Sequence, residues 1–202
     1  MIKTRENAVA NAAAATIKKP GAPLFFSGSN SSKSINRLMI EALAQHTGHS
    51  EVNVIDLRNY PMPLYSDTEE EKGIPTEANT LLEIIETHDV LVIAVPEHNN
   101  GMPAFFKNIV DWISRARTNY KVLSGKKVIL LSTSPGSGGQ NAVSNAKIVL
   151  EAIGASVIGH CVMIDFFRNT VIEGNRLLIN DTRFVTQFKA LLDKSLRNEN
   201  HL

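Results

Sequence analysis

Residues 89–115 read DVLVIAVPEHNNGMPAFFKNIVDWISR. After Asp89 the run through Val95 is continuously apolar, the pattern of a strand buried on both faces and central in its sheet. Residues 96–103 are rich in hydrogen-bonding groups and in Pro, Asn and Gly, which make turns. From Pro103 the apolar spacing turns helical, with the proline at the helix start, where its missing donor costs nothing. Strand, polar loop and helix in that order put the loop at the carboxyl end of a strand, where open α/β sheets grip planar ligands. A second loop of suitable chemistry, SGSNSSKSIN over residues 27–36, comes after what reads as the first strand.

The same alternation extends in both directions. Residues 22–28, APLFFSG, form a short apolar run closed by turn residues and read as a buried strand. Residues 34–46 carry Ile35, Leu38, Met39, Ala42 and Leu43 at helical spacing. Residues 51–57 alternate as a second strand, followed by a Pro-punctuated loop with the acidic run Glu69, Glu70 and Glu71, read as solvated. A helix is expected over 76–88, a strand over 127–133, a helix over 141–153, a strand over 155–162 and a last helix over 181–196. Strands separated by helices of this length imply a parallel sheet with right-handed crossovers. Five strands and five helices fit a three-layer α/β/α fold with sheet order 2-1-3-4-5.

Composition narrows the function. The chain has 202 residues, enough for one well-buried core, with 43% hydrophobic and 20% charged residues, as in ordinary globular proteins. A net charge of +1 suggests neither a nucleic acid nor an anionic membrane surface as partner, and it lacks the strong field of a dedicated electron carrier. The single cysteine, Cys161, excludes an internal disulfide framework and fits a reducing cytoplasm. No apolar run approaches the ~20 residues that span a bilayer. Residues 1–20, Ala-rich and ending at Pro20, read as a mobile or locally helical tail ahead of a single domain over 21–202.

In the first loop, Ser27, Ser29, Ser31, Ser32, Ser34 and Asn36 cluster where a strand ends and a helix begins. A helix N-terminus offers unpaired N–H groups and partial positive charge, which suits a phosphate without Arg or Lys. Hydrogen bonds to a charged group contribute ~1.5–3 kcal/mol each, so a few of them support micromolar affinity. The plainer reading is that such Ser/Asn turns simply cap helices. The spacing after Gly28 excludes a P-loop, since Lys33 arrives too early and the second glycine is missing. A G-x-G-x-x-G fingerprint is absent as well.

The second loop carries a resemblance. Pro96, Glu97, Asn99, Pro103, Lys107, Asn108, Asp111 and Trp112 stand in the register P-E-Y-N-x-x-x-P-x-x-x-K-N-x-x-D-W, which resembles the NAD(P)H-dependent FMN reductases, a flavodoxin-like family. Gly28, Ser29, Ser34 and Asn36 echo that family's G-S-x-R-x-x-S-x-N loop, and residues 133–140 resemble its S-x-x-P-G-x-x-G-G segment. Residues 56–67, DLRNYPMPLYSD, also fit. The resemblance implies that Ser29, Ser31, Ser34, Ile35 and Asn36 hold the FMN phosphate. It implies that Pro96, Glu97, His98, Asn99, Asn100 and Gly101 meet the ring edge, largely through backbone groups, and that Ser134, Gly136, Gly138 and Gly139 cover its other side. Two positions depart from the family pattern: Ser31 replaces its Arg, which either loosens phosphate binding or shifts that load onto Lys33, and His98 replaces its Tyr, which changes an aromatic wall.

The resemblance also implies a ping-pong relay from NAD(P)H through FMN to a small acceptor such as a quinone, flavin, azo compound or metal oxyanion. The flavin does the redox chemistry and no catalytic side chain is required. The rival is a flavin-binding electron carrier or redox sensor, and a third reading is a scaffold that has lost its flavin. A Ser-His-Asp hydrolase using His98 is disfavoured because no G-x-S-x-G elbow exists. His46 and His49 lack a third metal ligand, and Cys161 reads as a small core residue. Phe105, Phe106, Ile109, Val110, Trp112 and Ile113 cover more than half of a helix circumference, which sheet packing explains in part; a homodimer or homotetramer, to which the resemblance also points, would explain the rest.

Overall fold

The computed structural model describes residues 22–47, 52–136, 138–173 and 176–197; the tail expected over residues 1–20 lies outside them, as does His49. Strands β1 (Leu24–Ser27), β2 (Asn53–Val54), β3 (Val90–Ala94), β4 (Lys127–Thr133) and β5 (Ser156–Met163) are all parallel and lie in the order β2-β1-β3-β4-β5. This is the order expected from the alternation of apolar runs and helical stretches. All residues of β1 and β3 are buried, because both sheet faces are covered.

On one face lie helices α1 (Ile35–His46) and α6 (Thr182–Leu196), which pack Met39, Leu43, Phe184 and Phe188 against Phe25, Val92 and Ile129. On the other lie α3 (Thr76–Glu86), α4 (Ala104–Arg115) and α5 (Gln140–Ala152), which set Leu81, Phe106, Ile109 and Ala142 against Phe26, Leu91 and Leu130. Each fully buried Leu, Ile or Phe contributes roughly 1.5–3 kcal/mol.

Four features depart from the expectation. Strand β2 is two residues long because the Asp56 carboxylate accepts from the Arg58 N–H and starts a 3₁₀ turn at Leu57–Asn59. The acidic run is a helical turn, α2 (Asp67–Glu70), capped by the Ser66 hydroxyl, with Tyr65 Oη donating to Glu70. Between β5 and α6 an antiparallel pair, β6 (Thr170–Glu173) and β7 (Arg176–Ile179), packs Leu177 and Ile179 onto the α1 side of the core. Finally, the wide apolar stripe of α4 is accounted for inside one chain. Phe106, Ile109, Val110, Trp112 and Ile113 are buried, and Phe105 is partly so. Trp112 meets the segment after Tyr60, donating to Pro63 O and standing edge-on to Tyr65, so burial of the stripe requires no second subunit.

Candidate functional site

The first loop leaves the sheet through Gly28, whose N–H donates to Ala94 O at 2.8 Å. A Cβ there would stand 2.8 Å from Phe106 Cγ, so the close passage of loop over α4 requires glycine. Ser29 Oγ accepts from the Ser31 N–H at 3.2 Å and Ser31 Oγ from the Lys33 N–H at 3.1 Å, which curls the loop back toward α1. Ser34 is the N-cap of α1, its hydroxyl accepting from the Arg37 N–H at 3.2 Å. The N–H groups of Ile35 and Asn36 have no acceptor among the described residues, and no acidic side chain stands in the first turn. At the carboxyl end of β1, where this loop begins, the Ser27 hydroxyl is buried and unpartnered.

Asn36 is tied to the sheet. Its Nδ2 donates to Thr133 O at 2.9 Å, its Oδ1 accepts from the Thr133 N–H at 3.0 Å, and it is buried. Its side chain clasps α1 to the end of β4, which uses its carbonyl and one of the two N–H donors of its amide. Arg37 has a role that no sequence motif signals. Its Nη2 donates to Ser32 O at 2.7 Å and its Nη1 to Asp56 Oδ2 at 3.2 Å. Asp56 also pairs with Arg58. Burial alone would raise the Asp56 carboxyl, but hydrogen bonds from Arg58 and the charges of Arg58 and Arg37 hold it below the usual range.

The second loop begins at buried Pro96. Asn99 and Asn100 have φ of 50° and 63°, the left-handed region. His98 N–H donates to Gly101 O and Gly101 N–H to His98 O, both at 3.0 Å. This is a two-residue reverse turn that Asn tolerates better than any other non-glycine residue, which is why Asn-Asn-Gly stands here. His98, Asn99 and Asn100 are exposed at its tip.

Glu97 points across to α5. Its Oε2 accepts from the Asn141 N–H at 2.9 Å and the Ala142 N–H at 3.0 Å. The N-cap of α5 is Gly139, which has no side chain, so the cap of this helix comes from 44 residues away in sequence. Asn141 Nδ2 donates to Asn100 Oδ1 at 3.2 Å, and the Met102 N–H reaches Asn145 Oδ1 at 3.4 Å. The periodicity of α5 gives no hint of these roles for Asn141 and Asn145, which only the packing of α5 beside the turn creates.

The third loop lies alongside. Ser134 Oγ accepts from the N–H groups of Gly136 and Gly138 at 3.2 and 2.7 Å. Gly138 and Gly139 have φ of 94° and 105°, and a Cβ at either would fall within 2.3 Å of Val162 or Ser132. Ser132 Oγ in turn donates to Val95 O at 2.7 Å. The three loops thus lie together at the carboxyl ends of β1, β3 and β4, as the strand order requires.

The remaining motif residues have another task. Lys107 pairs with Asp111 at 2.6 Å, Asn108 Oδ1 accepts from the Tyr65 N–H at 2.8 Å, and Asn108 Nδ2 and Trp112 Nε1 donate to Pro63 O at 2.9 and 2.7 Å. Asn108 and Trp112 strap residues 63–65 onto α4, with Tyr65 edge-on to Trp112 at 5.2 Å, while the Lys107–Asp111 pair lies within the helix.

The family model described as NADPH-dependent FMN reductase matches residues 24–169. The chain is similar to the quinone reductase of Escherichia coli strain K12, with 34% identity over 99 residues, 48% of this chain and 52% of that protein. It is also similar to the NADH:(hydroxy)cinnamate reductase subunit CrdA of Vibrio ruber, with 26% identity over 127 residues, 62% of this chain and 60% of that one. The chain therefore spans about half to three-fifths of the length of these curated relatives. Among solved structures, FerB, the flavoenzyme NAD(P)H:(acceptor) oxidoreductase from Paracoccus denitrificans, superposes with a TM-score of 0.68 at 20% identity, over 87% of this chain and 95% of that one. The apo form of the NADH:FMN oxidoreductase EMOB gives a TM-score of 0.57 at 14% identity, over 87% of this chain and 88% of that one. At these identities the likeness concerns the fold.

Proposed function

Because the chain belongs to the NADPH-dependent FMN reductase family, we propose that it is an FMN-dependent NAD(P)H oxidoreductase passing electrons to a small acceptor of the quinone type. One observation carries the placement of the cofactor. Three helix N-termini follow the loops; that of α5 is filled by the Glu97 carboxylate and that of α4 opens at Pro103 with no side-chain cap, while that of α1 has free N–H groups, no acidic residue, the Ser34 cap and a loop of serine hydroxyls leading into it. The donor set at α1 suits a phosphate dianion, so the residues present fit FMN.

In this reading the FMN phosphate lies on the backbone N–H groups of Ile35 and Asn36 and on the hydroxyls of Ser29, Ser31 and Ser34, with Lys33 supplying charge from the rim. Asn36 contributes through its backbone, since its amide is engaged by Thr133. The exposed turn of His98, Asn99, Asn100 and Gly101 meets the edge of the ring, and the loop of Ser134, Gly136, Gly138 and Gly139 covers its other side. Bound there, the flavin would accept a hydride from NAD(P)H and pass electrons on in a ping-pong cycle. The protein's share is orientation. The α5 cap and the Asn36 clasp fix the loops before a ligand arrives, which lowers the ordering cost of binding. The proposed homodimer or homotetramer rests on the family resemblance. A cytoplasmic location is likewise proposed, from the lone reduced cysteine; no helix among the described residues is long and apolar enough to cross a membrane.

The test is spectroscopic. Purified protein is loaded with FMN, freed of excess and titrated anaerobically with NADPH, then NADH, then a quinone. Bleaching by a nicotinamide and recovery with quinone is the expected result. Retained flavin that neither nicotinamide bleaches would identify a carrier or sensor instead. Riboflavin, which lacks the phosphate, is expected to bind at least tenfold more weakly than FMN; equal affinity would remove the phosphate from α1.

A further inference from the structure

The backbone of Glu97 belongs to the loop that faces the ligand, but its side chain has a more definite job. A helix that begins at a glycine has no side chain of its own to satisfy its first N–H groups, and α5 begins at Gly139. The Glu97 carboxylate supplies that acceptor and an anion for the positive end of the helix dipole. The same residue stands immediately before the turn formed by His98, Asn99, Asn100 and Gly101, so capping α5 also fixes where that turn starts. Gly139 is packed against Glu97, a Cβ there lying 3.4 Å from Glu97 Cβ, which closes the joint between the second and third loops. Asn141 and Asn145 add bonds from the first two turns of α5 to Asn100 and to the Met102 N–H. The turn itself contains two left-handed asparagines, a conformation that persists only where its surroundings hold it.

We propose that Glu97 is the positioning residue of this site: by acting as the built-in anion of the α5 N-terminus, it holds the ring-edge turn in its binding geometry before any ligand is present, and closes that terminus to a phosphate. The identity of the ligand as a flavin rests on the function proposed above; the clamp itself does not. The corollary concerns specificity. An external phosphate cannot share the α5 terminus with the carboxylate, so the pyrophosphate of a nicotinamide dinucleotide is held elsewhere.

Three variants test this, E97A, E97Q and E97D, each compared with the native protein. The first readout is backbone hydrogen exchange of the ligand-free protein over residues 98–102 and 140–146. The second is the dissociation constants of FMN and of riboflavin. In E97A exchange over both segments is expected to accelerate at least tenfold, with FMN and riboflavin weakened by the same factor, about tenfold, because the phosphate loop is untouched and only the ring edge has lost its place. E97Q, whose amide oxygen still accepts both N–H groups, is expected to restore most of the exchange protection and to bind FMN within about threefold of the native protein. Native exchange rates in E97A overturn the proposal. So does a selective loss of FMN relative to riboflavin, which would show damage spread to the phosphate loop. Should E97A fail to fold, E97D reads the same quantities, since it keeps the charge while falling about 1.5 Å short of α5. If the native protein bound neither flavin, the functional reading would fail, and the exchange arm alone would keep or overturn the clamp.

Discussion

Asn36 shows how far a residue's role depends on what lies opposite it. Its position in a serine-rich loop marks it as a ligand contact, yet its amide closes on the backbone of Thr133. Replacing Asn36 with Ala leaves a buried N–H and C=O of Thr133 without that partner, at a cost of about 1–3 kcal/mol. Ser34→Ala removes a cap bond and costs about 1 kcal/mol, but it alone should lower the FMN-to-riboflavin affinity ratio. Urea unfolding and flavin titration of the two variants separate these outcomes; equal ratios would return Ser34 to a purely capping role. Gly139 is constrained twice, by a φ of 105° and by a Cβ that would meet Ser132 Oγ at 2.2 Å. Gly139→Ala should therefore cost at least about 2 kcal/mol in the same measurement. Cys161 is buried in β5, where burial pushes its thiol up to about 12. It should resist iodoacetamide at pH 8 in the folded protein and react once urea unfolds it; rapid labelling of the native state would contradict that placement.

At the scale of elements, the motif that identifies the family divides into two tasks. Its Pro-Glu-His-Asn half builds the turn and caps α5, and in its second half Asn108 and Trp112 strap residues 63–65 to α4 while Lys107 and Asp111 pair along the helix. Trp112→Phe removes the Nε1 donor to Pro63 O and some packing. It should cost about 2 kcal/mol by circular dichroism, the probe that remains once the single Trp is gone, with flavin affinity unchanged. The end of α3 is held differently. His88 is buried, bridging Asn53 of β2 and Ile84 O. Burial holds its pKa below the ordinary value. The folded state therefore favours the neutral ring and the unfolded state takes up the proton first. The stability it contributes is complete above about pH 6.5 and is lost as pH falls toward the lower folded value. Urea midpoints should drop between pH 7 and 5, and His88→Gln should flatten that slope; an unchanged slope would place the pH dependence elsewhere.

For the whole molecule, a ligand bound only to the folded state adds stability by mass action. FMN at 100 times its dissociation constant should contribute about 2.7 kcal/mol, a Tm rise of roughly 5–10 °C for a chain of this length. Absence of any shift would oppose flavin binding at all. The five-strand order, the helices and the identity of the three loops were legible in the sequence, because apolar period and loop chemistry are local properties that the chain carries with it. So was the buried character of β3, whose unbroken apolar run needs two covered faces. The hairpin of β6 and β7 was not, because four-residue strands carry too little periodicity to stand out from loop. Nor was the division of labour within the site. Asn36 against Thr133, Arg37 against Asp56, and Glu97 against α5 join residues between 19 and 97 positions apart. Such partners are decided by which loop the sheet order brings beside which helix end, and a hydrogen bond, being short and directional, exists only once that geometry is set.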